Sequence, residues 1–145
     1  MSDYRQVKKL LEQKELDSSF SCAYTKSQYD EQYSRFLEVM NSFSELFDKD
    51  GVREVSLFSS PGRTEVGGNH TDHNFGKVLA AGISLDAIAV ASKNDEGIVR
   101  IKSAGYSMDV VDCGDLEVKD CDSGKSRSLV RGVLDRFKQL GYKIG

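Results

Sequence analysis

The chain has 145 residues, of which 39% are hydrophobic and 30% are charged, and its formal net charge is −3 at pH 7. This composition is that of an ordinary globular protein, long enough for one domain with its own core. A weakly acidic chain with mixed charges argues against a nucleic-acid partner, which would require a basic face. No apolar run approaches the roughly 20 residues of a membrane helix, so we expect no membrane partner either.

Cysteine usage and the N-terminus bear on the cellular compartment. Cys22, Cys113 and Cys121 are odd in number, and their spacing fits no C-x-x-C pattern of a zinc or redox site. Free thiols are typical of the reducing cytoplasm. The first residues also lack the apolar stretch of a secretory signal. We therefore expect a cytoplasmic protein.

Two helices are predicted in the N-terminal third. From Asp3 to about Leu16, apolar residues recur at helical spacing, and Asp3 can cap the first turn. Residues 18–26 are small and polar and predict a loop. A stronger helix follows, with Gly51 as its stop signal. Its apolar stripe is more typical of a core than of a cofactor site, and consists of Tyr29, Tyr33, Phe36, Leu37, Met40, Phe43 and Phe47.

The middle of the chain has strand-like patterns. Residues 55–58 predict a short strand, and residues 59–63, with a proline and a glycine, predict a break in regular structure. Apolar and small residues alternate in 78–92. The turn signal at 94–97 predicts that residues 98–101 return alongside them as a hairpin.

The last third contains two weaker strand candidates, 108–111 and 116–118, and then a clear amphipathic helix over 129–140 that ends at Gly141. Gly124-Lys125-Ser126 lacks the earlier glycine of a P-loop, so we interpret it as a turn before this helix. Grouped strands flanked by helices predict the α+β class, with a mixed or antiparallel sheet covered by helices. We expect one domain over residues 1–145.

The segment 61–76 carries the chemistry. It holds the only proline, both histidines and four of the thirteen glycines. Glycines allow the backbone to approach a ligand closely, and Arg63 is a permanent cation with donors suited to phosphate. Asn69, His70 and Asp72 supply the donors and acceptors needed to fix one sugar epimer. We expect these side chains to converge with Arg63 on one hexose-sized pocket.

Two other interpretations of this segment stay open from composition. Glycine-rich polar segments are commonly solvated connections without a ligand. Alternatively, His70, Asp72 and His73 could bind zinc or manganese as a metal-dependent hydrolase would. Three ligands so close in sequence, without another histidine, make a catalytic metal centre the weaker hypothesis, and we assign no metal site.

The segment resembles the galactokinase signature, whose usual form is Gly-Arg-x-Asn-Leu-Ile-Gly-Glu-His-Thr-Asp-Tyr. Residues 129–133 and 141–145 also resemble that family, so the resemblance covers roughly residues 54–145. The residues that match the signature directly are Gly62, Arg63, Gly68, His70, Thr71 and Asp72.

The resemblance implies a fold and an activity. The fold would be the N-terminal part of the GHMP kinase fold, and the intact enzyme would transfer the γ-phosphate of ATP, with Mg²⁺, to the C1 hydroxyl of galactose. Arg63 would be catalytic, and Asn69, His70 and Asp72 would bind the sugar. The family's Gly-x-Gly-Leu-Ser-Ser phosphate loop and its catalytic aspartate do not occur in these residues. We therefore assign no ATP-binding residue and expect the chain to be inactive alone.

Departures from the signature leave the sugar and the activity open. Glu65 stands where asparagine is usual, Gly67 for isoleucine, Asn69 for glutamate and His73 for tyrosine. The sugar is therefore galactose or a relative with a different substituent. The alternative function is a non-catalytic sugar-sensing or interaction module derived from a galactokinase. We also expect self-association through apolar surface that the missing part of the fold would cover.

Overall fold

The computed structural model describes residues 2–68 and 71–144, and of Asp72 it describes the backbone only. The chain divides into two compact units, Met1–Ser92 and Lys93–Gly145. Helices are combined with antiparallel sheets, so the predicted α+β class is confirmed. That residues 1–145 form a single domain stays a prediction. No helix in the described ranges combines the length and the apolar character needed to cross a membrane.

The first unit begins with a two-residue strand β1 (Ser2–Asp3) and helix α1 (Tyr4–Glu12). The predicted cap is confirmed, because the Asp3 carboxylate accepts hydrogen bonds from the amides of Arg5 and Gln6 at 2.9 and 3.2 Å. The helix ends earlier than predicted, since Lys14 adopts a left-handed backbone with φ 55°. A short helix α2 (Asp17–Phe20) then forms inside the segment predicted to be a loop.

Helix α3 (Tyr29–Phe47) carries the predicted apolar stripe into the core of this unit. Phe20 lies at its centre, with its ring centroid 4.6 Å from that of Tyr33 and 5.7 Å from that of Phe36. The buried core residues come from α1, α2, α3 and the following strand, and are Tyr4, Val7, Leu11, Phe20, Tyr29, Tyr33, Phe36, Met40, Phe43 and Val55. The interpretation of the stripe as core is therefore confirmed.

Two long strands, β2 (Glu54–Gly67) and β3 (Leu79–Ala91), pair antiparallel and complete the sheet in the order β1-β2-β3. The predicted break at residues 59–63 is wrong, because β2 continues through it. Proline is tolerated there since the β1 pairing reaches only Glu54 and Val55, which leaves that edge of β2 without a strand partner in the described part of the chain. The ladder also shifts register just after Pro61.

The second unit contains strands β4 (Ile98–Ile101) and β5 (Asp109–Asp112) and helix α4 (Ser126–Gln139). The prediction that β4 returns alongside the preceding strand is wrong: β4 pairs with β5, and β3 pairs with β2. Residues 116–118 are not a strand either. The final helix is confirmed, and Gly141 follows it with φ 83°. A buried Asp122 carboxylate lies 2.5 Å from Arg127 and 3.1 Å from Arg131 in this unit.

Candidate functional site

The signature segment occupies the second half of β2 and the loop 68–78 that leads to β3. Gly68 has φ 79°, and a Cβ built on it would lie 2.2 Å from the carbonyl oxygen of Lys77. Only glycine fits a position that combines a left-handed backbone with so close an approach. The two ends of the loop therefore meet at Gly68 and Lys77.

Thr71 holds the interior of this loop. Its hydroxyl lies 2.8 Å from the Gly68 carbonyl and 3.1 Å from the Lys77 carbonyl. Its own carbonyl accepts the Gly76 amide at 2.8 Å. A Cβ on Gly76 would come within 2.6 Å of the Thr71 Cβ. Thr71 matches the signature, but its role in the loop was not predicted; its place between Gly68 and Gly76 was the available signal.

Arg63 lies on β2, in register with Gly82 of β3. Its side chain is 76% exposed, and its Nη2 atom is 3.9 Å from Oε1 of Glu65, whose side chain is only 22% exposed. An ion pair of an exposed arginine at that separation contributes little. The guanidinium of Arg63 is thus accessible to a ligand anion.

Glu65 is the second charged group here. Its Oε2 atom is buried and has no hydrogen-bond partner among the residues that the structure describes. A buried carboxylate oxygen without a partner costs free energy, and such atoms are rare in folded proteins. Glu65 therefore presents an unused acceptor next to Arg63, at a position where the family signature has asparagine.

The strand opposite this part of β2 is made of small residues. Ala80, Ala81 and Gly82 of β3 are exposed and pair with Glu65, Thr64 and Arg63 respectively. A Cβ built on Gly82 would meet nothing within 4 Å. No β3 side chain larger than a methyl group therefore stands directly across the strand from Arg63 or Glu65.

The other predicted site residues cannot be placed. Asn69 and His70 lie outside the described residues. Asp72 begins a short 3₁₀ turn, Asp72–Asn74, and its side chain lies outside the described atoms. Their roles, and their convergence with Arg63, stay predictions. Within the described atoms no group of three or more His, Cys, Asp or Glu could hold a metal ion, a finding that does not reach His70.

A buried polar cluster behind the hairpin was not foreseen. The Asp86 side chain on β3 is 5% exposed, and its Oδ1 is 2.7 Å from Nη1 of Arg35 on α3. Its Oδ2 accepts hydrogen bonds from the hydroxyls of Ser59, at 2.6 Å, and Tyr24. The available signal was the alternation of the strand, because residues two apart share a face and Asp86 therefore lies on the same inward face as Ile88 and Val90.

The cluster changes the acidity of its members. Burial alone would raise the pKa of Asp86, but hydrogen bonds from Ser59, Tyr24 and Arg35, with the Arg35 charge, lower that pKa below its ordinary value. Burial, followed by the hydrogen bond to Asp86, raises the pKa of Tyr24. The carboxylate is therefore ionised and the phenol neutral at neutral pH.

Comparison with known proteins identifies relatives of this sequence. The galactokinase galactose-binding signature matches residues 41–93. The chain is 32% identical over 105 residues to the galactokinase of Streptomyces coelicolor, which covers 70% of the chain and 26% of that protein. It is 35% identical over 106 residues to that of Limosilactobacillus fermentum, covering 69% and 27%, and 27% identical over 109 residues to that of Bacillus subtilis, covering 74% and 27%. No solved structure is significantly similar.

A match to a galactose-binding signature, together with an α+β fold, places the chain with sugar-binding proteins. By the signature and these similarities the chain belongs to the galactokinase family. It spans about a quarter of the length of the curated relatives it matches.

Proposed function

We propose that this chain is the sugar-recognition part of a galactokinase-like enzyme that phosphorylates the C1 hydroxyl of galactose, or of a related sugar, with ATP. The observation that carries the proposal is the signature hairpin itself. Its loop is closed by Gly68 and Thr71, and it presents the exposed Arg63 beside a small-residue strand. Membership of the galactokinase family supports sugar recognition as the role of this hairpin.

Each proposed site residue has a distinct task. Asn69, His70 and Asp72 hydrogen-bond the sugar hydroxyls and select the epimer, since a wrong sugar leaves such groups unpaired. Arg63 lies near the reacting hydroxyl and the transferred phosphoryl group and stabilises charge in the transition state. Phosphoryl transfer depends mainly on positioning and on such electrostatic stabilisation.

The ATP part of the reaction requires residues beyond these. The 145 residues contain no Gly-x-Gly-Leu-Ser-Ser sequence, and such a loop binds phosphate through backbone amides at a helix start. In the intact enzyme, ATP and Mg²⁺ would be held mainly by residues that this chain lacks. We therefore expect the chain to bind sugar in the cytoplasm without transferring phosphate alone.

Calorimetry with the purified chain tests the sugar site. We expect heat of binding with galactose and weaker or no binding with its C4 epimer, glucose. Asp72→Ala should abolish the galactose signal, whereas Asp95→Ala, in the turn of the second unit, should leave it unchanged. If the wild-type chain binds neither sugar, or if Asp72→Ala binds galactose normally, this proposal is wrong.

The alternative function, a non-catalytic sugar-sensing or interaction module, is separated by one further measurement. The reading frame after Gly145 is sequenced, and the longest natural product is assayed for galactose-dependent ADP formation. Galactose binding together with ADP formation supports the enzyme. Galactose binding with no turnover in the full natural product supports the sensor.

A further inference from the structure

We propose that Asp86 is a positioning residue for this site: it anchors the β2–β3 hairpin to α3 at the point where the ladder changes register, and so sets the placement of Arg63. This inference rests on the proposed function for the purpose that it assigns to Arg63. Asp86 itself lies outside the signature loop, on the inward face of β3.

Three separate segments converge on the Asp86 carboxylate. Arg35 of α3 reaches Oδ1 at 2.7 Å and the Asp86 carbonyl oxygen at 3.2 Å. Ser59 of β2 and Tyr24, which precedes α3, both donate to Oδ2. Gln32 adds a contact to Arg35 at 2.5 Å. One side chain of β3 is thus tied to a helix, to a loop and to the neighbouring strand.

Asp86 lies next to the register shift in the β2–β3 ladder, so its hydrogen bonds hold the strands at that point. Asp86 is in register with Pro61, and the next pair joins Arg63 to Gly82. Between those pairs β2 has only Gly62 whereas β3 has residues 83–85, so β3 bulges. A Cβ on Gly62 would lie 3.0 Å from the Ile83 side chain. Asp86 is therefore the last regular pair before an irregular stretch that leads directly to Arg63.

Energetics favours a role in specifying this geometry. A buried ion pair is weak evidence for stability, because well-packed apolar residues in its place are commonly as stable, and its best-attested use is to specify register. A slipped register would move each side chain beyond the slip to a new position or to the other face. Fixing Asp86 thus fixes where Arg63 and the loop behind it begin.

Amide hydrogen exchange on the whole chain tests the anchor without any sugar. In Asp86→Asn we expect amides of residues 62–68 and 71–78 to exchange roughly tenfold faster or more, because a charged hydrogen-bonding partner is lost. Amides of α1 and α3 should keep their wild-type rates. Asp30→Asn is the matched control, since it removes an exposed pair with Lys14 at 2.6 Å and should change neither segment.

Two results of this experiment would overturn the proposal. Unchanged exchange in the hairpin of Asp86→Asn shows that the anchor is not needed. Uniformly faster exchange in α1, α3 and the hairpin shows that Asp86 acts only on general stability. If Asp86→Asn does not fold, Tyr24→Phe replaces it: this variant removes one hydrogen bond to the carboxylate, and a smaller acceleration confined to the hairpin is expected.

Galactose affinity provides the functional readout. We expect Asp86→Asn to weaken galactose binding at least tenfold, and Arg35→Lys, which keeps a cation opposite the carboxylate, to weaken it less. Normal affinity in Asp86→Asn overturns the positioning role. If the wild-type chain binds no galactose, the proposed function fails, whereas the exchange experiment still decides whether Asp86 anchors the hairpin.

Discussion

Single residues in the loop 68–78 occupy positions where almost no alternative side chain fits. Gly68 combines φ 79° with a carbonyl oxygen 2.2 Å from its missing Cβ, while the adjacent Gly67 has nothing within 4 Å of that position. The two neighbouring glycines therefore serve different purposes. Glycine is required at position 68 for the loop to close, whereas at position 67 there is room for a Cβ atom.

Gly68→Ala should destabilise the hairpin by more than about 1 kcal/mol, because the left-handed backbone and the contact with Lys77 both oppose a methyl group. Gly67→Ala is the matched control and should change the free energy of unfolding by less than about 0.5 kcal/mol. Urea unfolding of both variants measures the difference. Equal stability of the two would show that the loop closes differently from the geometry described.

Thr71→Val should cost about 1 kcal/mol of local stability, since it removes the hydroxyl that bonds the loop carbonyls while keeping the volume. Amide exchange of residues 71–78 reports this loss directly. Thr71→Ser keeps the hydroxyl and should retain most of the protection. Loss of protection in the serine variant to the same extent would indicate that the methyl group, rather than the hydrogen bond, holds the loop.

At the scale of elements, the first unit is stabilised by the packing of α1 against α3 and β2, and of α3 against β3. Leu11 is completely buried in that core, whereas Leu46, on α3, is 46% exposed. Leu11→Ala should lower the free energy of unfolding by about 2–5 kcal/mol, and Leu46→Ala by less than about 0.5 kcal/mol. Urea unfolding, monitored by the near-ultraviolet circular dichroism of the tyrosines, measures the stability of both variants. A small loss of stability in Leu11→Ala would contradict the description of this core.

The Asp86 cluster makes the joining of α3 to β3 depend on pH. The pKa of Asp86 is lower in the folded state than the ordinary value of an aspartate, so ionisation of Asp86 stabilises the fold at neutral pH. That contribution disappears as pH falls through the lowered folded pKa. The groups facing Asp86 are the guanidinium of Arg35 and the phenol of Tyr24, whose raised pKa keeps it neutral.

We therefore expect the stability difference between wild type and Asp86→Asn to be largest near pH 7 and to shrink below the ordinary aspartate range. Urea unfolding of both proteins between pH 7 and the acid limit of reversibility measures this difference. A stability difference that does not change with pH would show that the charge of Asp86 contributes nothing to the stability of the fold.

At the scale of the molecule, one face of the β2–β3 hairpin is apolar and exposed. In each strand successive side chains point to opposite faces. Leu57, Ile88 and Val90 face the core, so the residues next to them in sequence lie on the exposed face. They include Phe58, 55% exposed, in register with the exposed Ala89. We propose that the chain self-associates to cover such surface.

Light scattering should show a mass above that of the 16.1 kDa monomer, with association that decreases in Phe58→Ser. Asp95→Ala, which changes a polar residue in the second unit, is the control and should associate as the wild type does. A monodisperse monomer at high protein concentration would refute self-association, and the hairpin face would then be tolerated in water.

Local periodicity was sufficient for α1, α3 and the final helix, but not for the short helix α2. The stripe of α3 and the final helix were predictable because a 3.6-residue repeat is a property of neighbouring residues, and so was the Asp3 cap. The signature from Pro61 to Asp72 was recognised by its resemblance to the galactokinase family, since composition alone left other interpretations open. The α+β class followed from the order of these elements.

Strand pairing and the support of the site were decided only by tertiary structure. Residues 98–101 pair with 109–112 and not with the preceding strand, and β2 runs through Pro61, because pairing depends on non-local partners and on an edge that proline can occupy. Asp86, Thr71 and the buried oxygen of Glu65 acquire their importance from groups distant in sequence or from backbone closure. A local pattern specifies which face of an element a residue occupies, whereas the residues that it contacts on that face are determined by how the whole chain folds.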